Sequence, residues 1–457
     1  MSKKISRYPG VVPFDESQQA VFFGRDKEKE RFAQLIKRKQ QTLLYANSGL
    51  GKSSLVNAGV LPLLRTEMQP IKVRFGAYQE GKSPSIVQTL REFLPKVATT
   101  KNSFLTTLLP NNSSLWLDFK ALQAQEDQTY LLVLDQFEEI FSYPAEQIYE
   151  FKKEMADLLQ REVPLDVTAE IEQNLEQNID LLTEEQEDFL WQKPKVKMLI
   201  IIREDRYSLM NQLIDHLPFC LDNRYNLLPL DRTQAQEAIV KPAEKEDQNF
   251  VSKAFTYTPQ ALDKILNFLT KENTQSVETT QLQILCNHLE NLGLSQIDEK
   301  DIPNLDDIFL QFYEDSIAQI TDENERRRAR KFVENELIKK EQRVSLDALA
   351  STDYVEESTL KILVDKQHLL RTETNSRGSR IYELAHDTLI PSILQAKAKR
   401  EAEEARQEEE LRQAEALRNE KENYRKTLKN KFYLGFVGTN ITSLLIFLVI
   451  FFFFTSH

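Results

Sequence analysis

The feature that most constrains the fold of this chain is a short glycine-containing loop between two apolar segments. Residues 42–45 form an apolar run with the composition of a buried strand, and an apolar run suited to a helix begins at Ser53. Strand, glycine loop and helix in this order are typical of a βα unit in a parallel sheet. The loop itself, residues 46–53, reads ANSGLGKS.

This loop matches the pattern G-x-x-x-x-G-K-[ST], although Ala46 stands at the first glycine position. Glycines let backbone N–H groups turn inward around phosphate oxygens, and the helix that follows directs its positive dipole end at the same anion. In such a loop Lys52 reaches the β- and γ-phosphates, and the hydroxyl of Ser53 ligates Mg²⁺. We therefore predict that ATP or ADP with Mg²⁺ binds to Asn47, Ser48, Gly49, Leu50, Gly51, Lys52, Ser53 and Ser54.

A second apolar strand, at 130–134, ends in Asp135 and continues as QFEE. An aspartate at the end of a buried strand provides the second expected ligand of Mg²⁺. Gln136 stands where many ATPases place an acid. Glu138 or Glu139 would then supply the base that polarises the attacking water.

Arg203 follows the apolar run 196–202, which predicts another strand buried on both faces. A cation at this position can sense the γ-phosphate or stabilise negative charge in the transition state. A surface arginine paired with Glu204 or Asp205 would give the same pattern. The residues alone leave both interpretations open.

The order of these elements predicts an α/β core followed by helical domains. Apolar strands at 71–75 and 225–230 complete a parallel sheet flanked by helices, and helical periodicity dominates from Lys241 onwards. Two short apolar strands around a turn at 375–378 are typical of the hairpin of a winged helix. We expect an N-terminal segment at 1–40 and an NTPase core at 41–240. A helical lid at 241–310 and a winged-helix domain at 311–395 follow. The run 162–193 is acidic and predicts a solvated insertion.

Two further segments are expected at the C-terminus. Residues 396–431 contain no proline or glycine and are rich in charge, which predicts a helical stalk; a coiled coil with partner chains stays open. Residues 432–454 form an apolar run, interrupted by glycine, threonine, asparagine and serine, of about the length that a spanning helix needs. Basic residues precede this run. The sequence thus predicts a single-pass membrane protein with the bulk of the chain in the cytoplasm.

The overall composition narrows the classes of function. A net charge of −12 argues against nucleic acid as a partner, because general nucleic-acid binders usually carry a basic surface. Cys220 and Cys286 lie among apolar residues and form no disulfide or metal-ligand pattern. Outside the predicted nucleotide site we find no nucleophile or metal constellation, so an enzyme acting on another substrate has no support.

Taken together, the motifs resemble those of the STAND class of P-loop NTPases within the AAA+-like group, specifically the bacterial novel STAND type. The resemblance runs from about residue 8 to residue 391 and implies a P-loop NTPase domain, a helical lid and a winged helix. It rests on the strings YPGVVPFDESQQAVFFGRDKE, ANSGLGKSSLVNAGVLP, LLVLDQFEEIF, IIIREDRYS, LLPLDRTQAQEAIVKPA, LQILCNHL and YELAHDTLI.

The resemblance also implies roles for single residues. Phe23, Gly24 and Arg25 match the motif that packs near adenine and ribose, and Pro242 matches the proline that abuts the base at the lid. His386 matches the winged-helix histidine that contacts the β-phosphate of bound ADP. The Walker A, Walker B and sensor roles fall on Lys52, Ser53, Asp135, Glu138, Glu139 and Arg203.

Proteins of this type resemble switches more than metabolic enzymes. ADP holds the lid and winged helix shut, and exchange for ATP, driven by a signal, opens them and lets subunits assemble. Many relatives carry a repeat array as sensor, whereas this chain ends in the apolar run. The expected function is a membrane-anchored ATP/ADP switch with slow hydrolysis, self-association on activation and an unknown protein partner or sensor. An ordinary AAA+ motor or loader, and a non-hydrolysing nucleotide-binding membrane scaffold, are the alternatives.

Overall fold

The computed structural model describes residues 4–76, 78, 80–81, 83–96, 103–177, 182–270, 276–374, 380–385 and 389–455. The chain divides into two compact units, Met1–Ile393 and Leu394–His457. The first unit contains every residue of the candidate site. Each unit is described by itself.

The first unit is built on a five-stranded sheet in which every neighbouring pair is parallel, in the order β2-β3-β4-β1-β5. The predicted parallel sheet is therefore confirmed. Its strands are β1 (Gln41–Ala46), β2 (Met68–Arg74), β3 (Thr129–Asp135), β4 (Val196–Arg203) and β5 (Arg224–Asn226).

Helices cover both faces of this sheet, which explains why its three central strands, β1, β3 and β4, are apolar almost throughout. Leu43 and Leu132 belong to one core and Leu44 and Leu131 to the other, because successive side chains of a strand point to opposite faces. The helices before the lid are α1 (Asp26–Arg38), α2 (Lys52–Ser54), α3 (Leu61–Leu64), α4 (Ile86–Phe93), α5 (Ser103–Leu108), α6 (Leu115–Gln125), α7 (Ala145–Gln160), α8 (Leu165–Gln177) and α9 (Glu184–Trp191). A π-helical segment, Leu55–Val60, joins α2 to α3.

The acidic stretch at 162–193 is more than a solvated insertion. Val167, Ile171 and Leu190 are buried in a satellite core around Trp116 of α6. Their acidic neighbours, such as Glu184 and Glu185, are exposed. The acidic composition concealed this apolar face.

The predicted fifth strand, 225–230, is divided between two sheets. Arg224–Asn226 pairs with β1, whereas β6 (Leu230–Asp231) pairs with β8 (Ser276–Val277). The segment that follows includes the predicted lid at 241–310 and is called the lid below. It contains α10 (Arg232–Glu244), β7 (Thr256–Tyr257), α11 (Pro259–Leu269), α12 (Thr279–Asn291) and β9 (Gln296–Ile297). Asp231 caps α10 in a capping box with Gln234.

The rest of the first unit carries a three-stranded sheet, which we call the C-terminal sheet, in the order β12-β14-β13. Leu370 of β13 pairs with Leu384 of β14 in an antiparallel ladder. The predicted turn at 375–378 lies outside the described residues. The elements here are α13 (Leu305–Ala318), α14 (Glu323–Lys331), β10 (Ile338–Lys339), β11 (Gln342–Arg343), β12 (Leu346–Asp347), α15 (Ala348–Thr352), α16 (Glu357–Lys361), β13 (Leu370–Thr374) and β14 (Arg380–Leu384).

The last helix, α17 (Ile390–Thr455), has 66 residues and supplies most of the second unit. The predicted stalk at 396–431 is helical throughout. Ion pairs one turn apart, such as Arg412 with Glu408 at 2.9 Å, support its exposed surface.

The prediction of a membrane-spanning helix at 432–454 is not supported. Within the part of the chain that the structure describes, no helix is both long and apolar enough to cross a membrane. The side chains of 432–443, 447 and 452–455 lie outside the described residues, and the predicted membrane partner and single-pass placement have no structural support.

Candidate nucleotide-binding site

The glycine loop connects β1 to α2 at the carboxyl edge of the central sheet. Gly49 and Gly51 have φ of 81° and 85°, a left-handed conformation that glycine adopts at little cost. The ammonium of Lys52 donates hydrogen bonds to the carbonyls of Ala46 at 2.8 Å and Asn47 at 3.1 Å. Burial lowers the pKa of Lys52 to about 8, although the nearby carboxylate of Glu138 opposes the shift. An anion in the loop would therefore meet a partly desolvated cation.

Ser53 and Asp135 meet across the sheet, as the sequence predicted. The hydroxyl of Ser53 donates to Oδ2 of Asp135 at 3.1 Å. Parallel strands end at the same edge, so the end of β3 lies near the start of α2. A hydroxyl and a carboxylate are the hard oxygen ligands that Mg²⁺ prefers, and the pair fits that ion.

The turn after β3 places two acidic residues in the site. Gln136 has φ of 54°, uncommon for a residue with a side chain, and its Oε1 accepts a bond from Nε of Arg74 at 2.7 Å. The 3₁₀ turn Phe137–Ser142 then begins, and the ring of Phe137 is fully buried. These contacts fix the direction in which Glu138 and Glu139 leave the strand.

Glu138 is the more unusual of the two acids. Its Oε2 is buried and has no hydrogen-bond partner among the described residues. Burial raises the pKa of the Glu138 carboxyl, and the charges of Lys52 and Arg203 work in the opposite direction. A buried carboxylate oxygen without a donor is suited to accept a bond from a water or a ligand.

Arg203 ends β4 at the carboxyl edge of the central sheet. Its guanidinium pairs with Asp205 through bonds of 3.0 Å and 2.8 Å, and its side chain is largely buried. It also lines the same cavity as Lys52 and Glu138.

The N-terminal segment forms the apolar end of the site. Phe23 and Arg25 line the cavity, and an NH2 of Arg25 donates to the carbonyl of Leu50 at 3.4 Å. Gly24 has φ of 82° and packs tightly against α10. The rest of this apolar wall lies in the first string that carries the resemblance, where it was assigned no role; it consists of Gly10, Val11, Val12, Pro13, Phe14, Val21 and Phe22.

The lid contributes residues other than the predicted one. Pro242 is buried inside α10, where its carbonyl accepts a bond from Arg7 at 2.6 Å. Ala238 of α10 is among the described residues that line the cavity, and Pro242 is not. Pro242 lies one helical turn further along the axis of α10. At the start of α12 the hydroxyls of Thr279 and Thr280 donate to the carbonyl of Gly49. Two threonines at a helix start carry no motif that would have revealed this contact.

The C-terminal sheet closes the remaining side of the cavity. His386 lies outside the described residues, so its predicted contact has no structural counterpart here. His368, Leu370, Arg371, Thr372 and Ala385 line the cavity instead. Burial lowers the pKa of His368, and the charge of Arg74 lowers it further, which favours the neutral imidazole.

All of these elements enclose one cavity of about 310 Å³. Most of the predicted site residues that the structure describes line this cavity. The exceptions are Gly24, Asn47 and Pro242. Apart from His368, the ionisable residues on the described lining are five cations and three carboxyls. The cations are Arg25, Lys52, Arg74, Arg203 and Arg371, and the carboxyls are Asp135, Glu138 and Glu139. This excess of positive charge favours an anionic ligand with a small apolar part.

Residues 8–267, which are more than half of the chain, match the Novel STAND NTPase 1 family. The chain belongs to this family. The Novel STAND NTPase 1 match includes the glycine loop, Asp135 and Arg203, and it leaves out the start of α12 and the C-terminal sheet. Membership supports an NTPase, and the glycine loop that lines the cavity lies within the matched residues. Among curated proteins, none matches this sequence.

Several solved structures of ATPases are similar at low identity. A Walker-type ATPase of Pyrococcus abyssi is 14% identical over 84% of this chain and 98% of its own, with a TM-score of 0.41. The ADP form of the ORC2 protein of Aeropyrum pernix is 13% identical over 86% of this chain and 97% of its own, with a TM-score of 0.39. The RuvB Holliday junction branch migration motor of Thermotoga maritima is 14% identical over 79% and 92%, with a TM-score of 0.32.

Proposed function

We propose that this Novel STAND NTPase 1 protein is an ATP/ADP-dependent molecular switch that hydrolyses ATP slowly and self-associates on activation. One observation carries the proposal. The cavity that contains the glycine loop is also lined by the lid and by the C-terminal sheet. A nucleotide bound there would touch all three parts, so its state can bias how they are arranged.

The proposed binding roles follow from the position of each side chain. The backbone of residues 47–51 and the ammonium of Lys52 hold the phosphates. Ser53 and Asp135 would hold Mg²⁺, which supplies positive charge that neutralises the phosphate oxygens. Phe23 and the apolar N-terminal wall receive the base, and Arg25 fixes that wall to the loop through Leu50.

The proposed hydrolysis uses Glu138 as the base, because its unpartnered Oε2 can accept a proton from water. Arg203 would stabilise negative charge that develops on the phosphate. One feature favours slow turnover, because Gln136 follows Asp135 directly in place of an acid.

The proposed switching depends on the covering parts. ADP favours the arrangement in which α12 and the C-terminal sheet lie over the loop, and exchange for ATP favours their release and self-association. His386 is proposed as a further contact to the β-phosphate of ADP. Pro242 has no role in this proposal, because its carbonyl accepts a bond from Arg7 and it is not among the described residues that line the cavity.

The test is to purify the full chain, denature it and identify the released nucleotide, and then to measure the rate at which labelled ADP exchanges. We expect ADP with slow exchange, and Lys52→Ala should lose the nucleotide while the protein stays folded. A folded wild-type protein that takes up no nucleotide would overturn the proposal. Rapid steady ATP turnover would replace the switch by an ordinary AAA+ motor.

A further inference from the structure

Arg371 is a cation that the C-terminal sheet directs into the nucleotide cavity. It lies in β13, more than 300 residues along the chain from Lys52, and it lines the same cavity. In the ladder with β14 its partner is Glu383, and the two side chains form an ion pair of 2.6 Å between Nε and Oε1. The strand register and this ion pair together fix the position of the guanidinium.

The charges around Arg371 leave an excess of positive charge facing the cavity. The carboxylate of Glu383 is shared, because Nε of Arg343 also approaches it at 3.5 Å. Burial lowers the pKa of Arg371 to about 10, and the next largest influence is the positive charge of Arg203. Two guanidinium groups repel each other in a partly buried site, and an anion that binds near both of them stabilises their charged forms.

The location of β13 indicates which part of a nucleotide this cation would meet. The strand packs against the turn Phe137–Ser142, which carries Glu138. Arg203, Glu138 and Lys52 influence one another electrostatically, so this side of the cavity is its phosphate end. Arg371 therefore lies beside the phosphates and away from the apolar wall around Phe23.

We propose that Arg371 is a phosphate-binding residue through which the C-terminal sheet contacts the nucleotide directly. The inference rests on the proposed function, because it requires that the cavity holds ADP or ATP. A guanidinium can donate two parallel bonds to phosphate oxygens while Nε stays with Glu383. Bound nucleotide then joins the glycine loop to β13, so phosphate occupancy stabilises the closed arrangement.

Arg343 provides a matched control. It shares Glu383 with Arg371 and also donates to the carbonyl of Leu384 at 3.2 Å. Among the described residues that line the cavity, Arg343 does not occur. A purely structural role of the arginine–glutamate cluster would make Arg343→Ala and Arg371→Ala equivalent, whereas phosphate binding makes them different.

The experiment first removes bound nucleotide from the full chain and then measures its affinity for ADP and for adenosine by calorimetry. The proteins compared are wild type, Arg371→Ala, Arg371→Gln and Arg343→Ala. We expect both Arg371 variants to bind ADP roughly tenfold more weakly, the loss that one charge-assisted contact gives, with adenosine binding unchanged. Arg343→Ala should stay within about twofold of wild type. Arg371→Gln keeps a polar group beside Glu383 and guards against a variant that fails to fold.

Hydrogen exchange of β13 and β14 gives a second readout. ADP should slow exchange there in wild type and in Arg343→Ala, and should leave it unchanged in the Arg371 variants. Wild-type affinity in both Arg371 variants, or an equal loss in Arg343→Ala, would overturn this inference alone. A wild-type protein that binds no ADP would overturn the proposed function instead.

Discussion

At the scale of single residues, the proposed hydrolysis depends on Glu138. Replacing it by glutamine removes the basic oxygen and keeps the shape of the side chain. Because a general base contributes about 100-fold or more, we expect phosphate release from ATP to fall by at least about that factor while ADP still binds. The measurement is steady-state phosphate release together with an ADP titration.

Glu139→Gln is the matched control for that experiment. Glu139 belongs to the same turn and lines the same cavity, but the unpartnered buried oxygen belongs to Glu138. The Glu139 variant should therefore keep most of the activity. An equal loss in both variants would show that the turn and not the Glu138 carboxylate is responsible.

Lys52 makes nucleotide binding depend on pH in the alkaline range. Its pKa is about 8 because of burial, and a bound phosphate raises that pKa by stabilising the charged form. Binding then takes up a proton at any pH between the free and bound values. ADP affinity should be level below about pH 8 and fall by up to about tenfold per pH unit above it.

The measurement is an ADP titration across this pH range. Lys52→Arg carries a permanent charge and should bind more weakly but without the alkaline decline. Lys120 also has a pKa lowered to about 8 by burial, but it packs in α6 against Trp116 and Phe189. Lys120→Arg should keep the wild-type pH profile. A level profile in wild type contradicts the proposed role of Lys52.

At the scale of elements, Gly24 decides how closely the N-terminal segment approaches α10. A Cβ at this position would collide with the carbonyl oxygen of Gln234 and lie 3.1 Å from Cβ of Ala238. Its φ of 82° adds backbone strain of about 1 kcal/mol for any other residue. With overpacking of about 1–3 kcal/mol, we expect Gly24→Ala to lower the free energy of unfolding by about 2–4 kcal/mol.

Chemical denaturation of Gly24→Ala and Gly293→Ala separates the two contributions. Gly293 has φ of 68°, and nothing lies within 4 Å of its added Cβ. Its alanine variant should therefore lose only the backbone part. If the two variants lost the same stability, close packing of Gly24 against α10 would not matter.

The elements also show what could be predicted from sequence. Strands β1, β3 and β4 were predictable because each is a continuous apolar run that ends at a polar or glycine-rich loop. Glycine spacing located the phosphate loop for the same local reason. The division of 225–230 between β5 and β6 was not predictable, since both halves have strand composition and only tertiary pairing separates them.

Other parts of the site could not be read from local patterns. Thr279, His368 and Arg371 reach the cavity through packing of elements that lie more than 200 residues from the loop in sequence. Pro242 was assigned by resemblance alone, and Ala238, one turn earlier on the same face of α10, lines the cavity instead. The apolar run at 432–454 was interpreted as a span because its length is close to what a spanning helix needs, and no helix within the described residues supports that prediction.

At the scale of the whole molecule, the cavity joins segments from both ends of the first unit. The N-terminal segment, the core, the lid and the C-terminal sheet each contribute lining residues. A ligand that binds only this closed arrangement stabilises it by mass action, by about 2.7 kcal/mol at a hundredfold excess over Kd. Two nucleotides can shift the arrangement only by the difference between their affinities for its two states.

This difference leads to a prediction about assembly. If ADP favours the closed arrangement and ATP the open one, ATP should expose surfaces that ADP keeps covered. Changing the closed fraction from about 99% to about 1% requires a roughly 10⁴-fold difference in relative affinity. A smaller preference would give a mixture of monomers and assemblies, and a larger preference would give nearly complete conversion.

Sedimentation velocity of the full chain tests this in ADP and in a slowly hydrolysed ATP analogue. We expect a larger sedimentation coefficient with the analogue, increasing with protein concentration, and a single smaller species with ADP. Lys52→Ala should sediment identically in ADP and in the analogue, because a variant that binds neither nucleotide does not respond to either. Identical sedimentation of the wild type in ADP and in the analogue would leave hydrolysis intact as a function and remove self-association from it.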